Sequence, residues 1–256
     1  MEMHHIDNSL WNSWQVAPEI LLPVVTAGYL YLKYANSTSM RQKIYFFLGL
    51  FSILAVVQSP VGARSMDYFS LHMVQHITLM MITGPLLVLG TPANFKPRSR
   101  IFNFFTAPIL SWGTYALLMI GVHLPGPHNF IMENPWAHTY IEVPLYMTIP
   151  YLFYFNLLDR NLNNRRVSPA LSVISLFLMM VPETLTGFFI YVSRGSLYNE
   201  MYTLDDQRRG GTLMWSGAMI IDAMWMSLAV FHWIKSEEEK SLVIDAEIAA
   251  ETRANS

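Results

Sequence analysis

Residues 69–92, FSLHMVQHITLMMITGPLLVLGTP, decide the fold class of the chain. The stretch contains no Asp, Glu, Lys or Arg. As an α-helix it is long enough to cross the hydrocarbon core of a bilayer, which takes about 20 predominantly apolar residues. We therefore predict a membrane-spanning helix at these residues.

The composition of the whole chain also indicates a membrane protein. Of its 256 residues, 53% are hydrophobic and 13% are charged, whereas an ordinary soluble domain has about 25% charged residues. The formal net charge of -2 offers no basic surface for nucleic acid. The absence of cysteine excludes disulfides, thiolate metal sites, iron–sulfur clusters and cysteine catalysis.

Further apolar runs have the length of a membrane helix. We predict an all-α, polytopic membrane protein, a seven-transmembrane-helix bundle with spans at residues 17–34, 43–60, 70–90, 104–124, 139–158, 168–193 and 211–235. The membrane domain, residues 17–235, then lies between an outer N-terminal segment, residues 1–16, and an acidic cytoplasmic tail, residues 236–256, which we expect to be disordered.

The basic residues orient this bundle, because Lys and Arg remain on the cytoplasmic side. Twelve of them lie in the connections after the first, third and fifth spans and in the C-terminal segment, against four in the remaining loops. We expect the N-terminus outside, the C-terminus in the cytoplasm, and the chain in the plasma (bacterial inner) membrane. In this orientation seven of the eight histidines lie outside or in the outer leaflet.

The histidine pair His72 and His76 is the strongest local signal for a site. Residues four apart share one face of an α-helix, so both imidazoles can reach one metal ion. His123 and His138 flank a short loop between the fourth and fifth spans, and they converge with the pair if these spans are neighbours. The alternative is that these histidines only form hydrogen bonds to neighbouring helices.

The choice of metal depends on the ligand types near these histidines. Imidazole suits copper, zinc or iron, and thioether sulfur favours cuprous copper. Met80 extends the stripe of His72 and His76 by one turn, and several of the 17 methionines lie near the outer face. Methionine is also a common packing residue. We therefore expect copper rather than zinc.

Polar side chains near the outer boundary are candidates for a wall of the site. Asp206, Gln207 and Met214 lie at the start of the last span. The two polar side chains either cap the free N–H groups of that helix or, with Met214, support the metal ligands. Asp67 lies just before the helix of the histidine pair.

Three carboxylates within the predicted spans are functional candidates, because an ionisable residue is costly to bury in a membrane. Glu142 lies one turn after His138 and on the same face, so it can orient that imidazole. Glu183 lies in the outer half of the sixth span. Asp222 lies near mid-membrane, where either a structural hydrogen bond or a proton role fits.

Four segments together resemble the seven-helix CtaG-type cytochrome c oxidase assembly factors over roughly residues 17–235. They are residues 69–92, GVHLPG around His123, the region 138–142, and DQRRGGTLMW at 206–215. The resemblance implies a role in maturing heme-copper oxidases by handling copper, with oxidase subunits as partners. The family pattern falls on His72, His76, His123, His138, Asp206, Gln207, Gly210, Gly211, Met214 and Trp215.

The chain departs from the family pattern at two positions. A tryptophan commonly precedes the histidine of the fourth span, where this chain has Val122. The pattern of the fifth span usually ends in Glu-His, where this chain has Glu142 and Val143. If that histidine is a ligand in relatives, the resemblance implies either a changed coordination sphere or a different site here.

We therefore expect an assembly factor, not an enzyme, that binds copper through His72 and His76, with His123 and His138 as the next ligands, and hands it over by ligand exchange. Three alternatives stay open. The first is a redox membrane protein in which His76 and His138 ligate heme or serve a quinone. The others are a copper uptake or tolerance protein and a metal-free accessory subunit of a membrane complex.

Overall fold

The computed structural model describes residues 12–35, 38–92, 95, 99–158 and 167–254. These residues form helices and turns, and no strand occurs among them, which confirms the all-α class for this part of the chain. The α-helices are α1 (Pro18–Tyr34), α2 (Met40–Val57), α3 (Pro60–Ala63), α4 (Phe69–Ile77), α5 (Gly84–Gly90), α6 (Arg100–Phe105), α7 (Pro108–Gly121), α8 (Pro125–Glu133), α9 (Pro135–Ala137), α10 (Val143–Leu158), α11 (Pro169–Val192), α12 (Leu204–Thr212) and α13 (Ala218–Ala254).

Within the described residues, four continuous helices are long and apolar enough to cross a membrane. They are Met40–Val57, Phe69–Gly90, Pro169–Val192 and Leu204–Arg253. Helices α7 and α8 pass the same test together but bend by 73° at their junction, and they add a fifth span if the pair crosses as one. The count of seven spans and the orientation of the termini stay predictions.

Some sequence-based assignments lie outside the described residues. They concern the outer segment up to residue 11, with His4 and His5, and part of the basic residues used for orientation, namely Lys96, Arg98, Arg160, Arg165 and Arg166.

Large apolar side chains cover the outside of the helices, whereas polar side chains lie inside. Exposed examples are Leu22, Phe51, Ile109, Leu117 and Phe189. The buried polar residues include His72, Gln75, His76, Glu142, Glu183 and Asp222. This inverted distribution suits a bundle surrounded by lipid, because lipid solvates apolar surface and the polar groups find partners within the protein.

The helix Phe69–Gly90, predicted from the opening stretch, is the centre of the bundle. Its first part, α4, packs against α12, and its last part, α5, packs between α2 and α10. A π-helical turn, Thr78–Thr83, joins the two parts. Similar π-helical turns begin the fifth and last predicted spans, at His138–Glu142 and Leu213–Gly217. Such wider turns often occur at functional sites, because they change which side chains face inward.

Two glycines let the sixth and last predicted spans approach closely. A Cβ atom at Gly187 would lie 2.6 Å from the backbone nitrogen of Trp215, and one at Gly211 would lie 2.8 Å from that of Tyr191. Both distances are shorter than a real Cβ contact, so glycine is needed at both positions. This contact fixes α12 against α11.

The acidic C-terminal segment differs from the sequence-based expectation of disorder. Helix α13 continues without a break from the membrane segment through Ala254. The segment is rich in Glu and Ala, which are good helix formers, and Lys240 and Glu237 form an ion pair of 2.7 Å three residues apart. A helix already nucleated by the preceding span extends at little cost, so this segment is helical through Ala254.

Candidate metal centre

The two histidines of α4 lie side by side inside the bundle. His72 is 0% exposed and His76 is 4% exposed, and their ring centroids are 3.9 Å apart. Both side chains are on one face of the helix, as their spacing predicts. The ring of Tyr146, from α10, lies 3.9 Å from that of His76.

The carboxylate of Glu142 lies at the centre of the histidines. Its Oε1 atom is 3.3 Å from Nε2 of His76 and 3.6 Å from Nε2 of His72, and its Oε2 atom is 3.8 Å from Nε2 of His138. Two ligands bound at 2.0–2.1 Å to one tetrahedral metal are about 3.4 Å apart. The distances therefore match groups arranged around a shared cation, and His72, His138 and Glu142 each offer a ligand atom within 4.8 Å of the others.

The corner between α7 and α8 brings two more histidines to the cluster. The ring centroid of His123 is 5.5 Å from that of His76, and the centroid of His128 is 5.4 Å from that of His72. Both histidines are buried. The 73° bend between the helices therefore folds the chain over the pair in α4. The four predicted histidines converge, and His128 joins them.

Several cluster members have no hydrogen-bond partner among the described residues. They are both ring nitrogens of His72 and His76, both carboxylate oxygens of Glu142 and the hydroxyl of Tyr146, all buried. Folded proteins pair almost all such groups, and an unpaired buried charge is costly. A cation between the imidazoles and the carboxylate would give the ring nitrogens a partner and would neutralise the buried charge.

Hydrogen bonds set the ring orientation of the other two predicted histidines. His123 donates from Nδ1 to the backbone carbonyl of Met119, so its Nε2 keeps a lone pair, and this buried atom has no partner among the described residues. His138 donates from Nε2 to Oε1 of Gln75 at 2.9 Å. His123 is therefore ready to bind a cation, whereas Nε2 of His138 must first lose its proton and its bond to Gln75.

Two tyrosines from the loop before α12 cover His123 and His128. Tyr198 donates to the backbone carbonyl of His123 at 3.1 Å, and the hydroxyl of Tyr202 lies 3.4 Å from Nε2 of His128. Burial raises the pKa of Tyr202, and the carboxylates of Glu142 and Asp206 raise it further. Tyr202 therefore stays protonated, and its hydroxyl pairs with Nε2 of His128, either as donor or as acceptor according to the tautomer of that ring.

Three members of the cluster were not predicted as site residues from the sequence. His128 is one of the seven histidines expected on the outer side, but the sequence does not place it at the site, because it does not show the bend before α8. Tyr146 lies one helical turn after Glu142, so its spacing was an available signal. Gln75 lies between the two histidines of α4, and only its bond to His138 shows its role.

Asp206 has a different role from capping its own helix. Thr203 caps α12, whereas the carboxylate of Asp206 accepts hydrogen bonds from the backbone N–H of Phe69, at 2.6 Å, and from the hydroxyl of Ser70. Asp206 thus caps α4, the helix of the histidine pair. Gln207 accepts a hydrogen bond from the backbone N–H of Leu197 at 2.8 Å, which supports the tyrosine-containing loop.

The remaining candidates, Asp67, Met80 and Met214, differ in whether they lie near the cluster. The side chain of Asp67 is 55% exposed and pairs with Arg64 at 3.2 Å, so the structure does not bring it into the cluster. Met80 and Met214 are buried and line a small cavity that His76 and His123 also line.

Glu183 and Asp222 form a second buried polar cluster, between α11 and α13. Their carboxyl groups are within hydrogen-bonding reach of each other, and Tyr115 donates to Oε1 of Glu183 at 3.0 Å. Glu183 therefore belongs to this pair rather than to the wall of the histidine cluster.

Curated proteins of mycobacteria are similar to this chain. An uncharacterised protein of Mycobacterium bovis and one of Mycobacterium tuberculosis are each 22% identical over 234 residues, which cover 79% of this chain and 35% of each relative. An uncharacterised protein of Mycobacterium leprae is 20% identical over 249 residues, 82% of this chain and 37% of the relative. The chain thus spans about a third of the length of these relatives.

No solved structure matches the chain significantly. A family model does match it, over residues 26–236, and is described as cytochrome c oxidase caa3 assembly factor (Caa3_CtaG). The match covers the helices of the histidine cluster, the corner between α7 and α8, and the motif at 206–215.

Proposed function

Because the chain belongs to the cytochrome c oxidase caa3 assembly factor family, we propose that it binds copper at the cluster around Glu142 and delivers it to a heme-copper oxidase during assembly. The main support is the position of the Glu142 carboxylate, whose oxygens lie within 3.8 Å of the Nε2 atoms of His72, His76 and His138. The family supports an assembly role rather than catalysis.

The ligand set supports copper. Neutral imidazoles and one carboxylate bind copper or zinc. The thioethers of Met80 and Met214 lie in the adjoining cavity and favour cuprous copper. Neither the described residues nor the composition offers a thiolate that would hold the ion more tightly. Such a site can release its cargo by ligand exchange to a recipient with further ligands.

The proposal includes the predicted topology. Seven spans with the N-terminus outside and the C-terminus in the cytoplasm put the ends of α4 and α7 that carry the histidines near the outer face of the plasma membrane. The excess of basic residues on the opposite side supports this orientation. Copper delivered on the outer side then does not have to cross the membrane through this protein.

The test is oxidase assembly in cells that lack the chain and receive a variant on a plasmid. We expect Glu142→Gln to lower the copper content and activity of the oxidase at least tenfold, because an amide of the same shape does not neutralise the cation. Glu133→Gln, at an exposed glutamate of α8, is the matched control. Normal copper content and activity with Glu142→Gln, at equal protein level in the membrane, would refute the proposal.

A further inference from the structure

A cavity on the interior side of the histidine cluster is lined mainly by methionine. Its thioether-bearing residues are Met73, Met80, Met81, Met119 and Met214. They come from α4, the π-helical turn after it, α7 and the π-helical turn after α12. All five side chains are buried, with at most 5% exposed. Separate elements of the bundle thus bring methionine side chains to one cavity.

Packing alone accounts poorly for this concentration. Methionine is a flexible filler of irregular gaps, so one or two in a cavity wall need no explanation. The chain has 17 methionines in 256 residues, so the nine residues that line the cavity would contain fewer than one at this frequency. Five of the nine are methionine. The excess indicates a function for the sulfur atoms.

Two imidazoles add unpaired polar atoms to the same wall. His76 and His123 line the cavity. The bond from Nδ1 of His123 to the carbonyl of Met119 leaves its Nε2 with a lone pair, and neither this atom nor the ring nitrogens of His76 have a partner among the described residues. The cavity therefore offers neutral nitrogen and sulfur donors, and no carboxylate is among its lining residues.

We propose that this cavity is a second metal site, which binds one bare Cu(I) ion through thioether sulfur and imidazole nitrogen. The inference rests on the proposed copper function and assigns copper to two neighbouring compartments, the Glu142 cluster and the methionine cavity. The Glu142 cluster offers imidazole and carboxylate, whereas the methionine cavity offers soft neutral ligands that suit a monovalent cation. His76 lies in both compartments.

The size of the cavity supports an ion without its water shell. Its volume of about 10 Å³ is that of roughly one water molecule. A divalent ion that keeps several waters does not fit, while an ion ligated directly by the wall does. Because its ligands are neutral, the site holds a single positive charge more readily than a double one.

The test uses the purified full-length protein in detergent and Ag(I), which has the charge and soft character of Cu(I) and is inert to redox change. The variant is Met80→Leu/Met119→Leu, since exchange of methionine for leucine conserves volume. The control is Met179→Leu, a methionine of α11 that is 1% exposed and does not line the cavity. A Zn(II) titration measures the Glu142 cluster separately.

We expect the double variant to bind Ag(I) at least tenfold more weakly, with unchanged Zn(II) binding, and the control to match the wild type in both. Unchanged Ag(I) binding in the double variant would overturn the cavity site, whatever the oxidase assay gives. An equal loss of Zn(II) would overturn the division into two compartments. Normal oxidase assembly with Glu142→Gln would refute the proposed function and leave the Ag(I) result standing.

Discussion

Asp206 connects the last predicted span to the first turn of the histidine helix, and its removal is predicted to disturb the site from a distance. Its carboxylate accepts the backbone N–H of Phe69 at 2.6 Å and the hydroxyl of Ser70. His72 lies one turn further along α4. The first turn of α4 therefore depends on a side chain 137 positions away in the sequence.

The size of the effect follows from these bonds. Hydrogen bonds to a charged group contribute about 1.5–3 kcal/mol each, and an unpaired buried N–H is itself costly. Asp206→Ala loses both bonds and is expected to cost about 3–6 kcal/mol. Asp206→Asn keeps one acceptor oxygen but loses the charge, so about 1–2 kcal/mol is expected.

Thermal unfolding and copper titration of the purified protein measure this effect. A loss of 3 kcal/mol corresponds to a melting temperature lower by roughly 6–12 °C in a domain of this size. Since the first turn of α4 loosens, copper binding is expected to weaken at least tenfold. Asp205→Asn, at the exposed neighbour, is the control. If Asp206→Ala melts and binds copper as the wild type does, α4 does not depend on this cap.

Two further variants test contacts between the predicted spans. Gly211→Ala places a Cβ atom 2.8 Å from the backbone of Tyr191 and is expected to cost about 1–3 kcal/mol of stability. The control is Gly126→Ala, whose Cβ has no atom within 4 Å, so its melting temperature is expected to equal that of the wild type. Equal melting temperatures for the two variants would contradict the close approach at Gly211. Tyr115→Phe removes the donor to Glu183 and is expected to cost about 1–2 kcal/mol, and a melting temperature equal to that of the wild type would show that this bond adds nothing.

The membrane class of the protein and the common face of the histidine pair could be predicted from the sequence, because both depend on local rules. An apolar run long enough to cross a bilayer needs no tertiary information, and the family assignment from the sequence motifs is confirmed by the family model. The spacing of His72 and His76 fixes their common face through helix geometry alone. Glu142 was tied to His138 by the same rule, and the structure extends its contacts to the pair in α4.

Features that depend on contacts between distant segments were not predictable. The bend that brings His128 to the cluster arises where α7 ends and α8 begins, and no periodicity records its angle. Asp206 was expected to cap the helix that contains it, because a cap in another helix requires knowledge of how α4 and α12 pack. The π-helical turns also leave no pattern in the hydrophobic period, although one of them carries both His138 and Glu142.

The metal content of the purified protein shows whether the histidine pair of α4 binds copper. Copper is measured after loading and washing, in the wild type, in His72→Ala/His76→Ala and in His232→Ala, a histidine variant outside the cluster. We expect bound copper in the wild type and in His232→Ala, and its loss in the double variant. Equal copper in all three proteins would contradict a site at the histidine pair of α4.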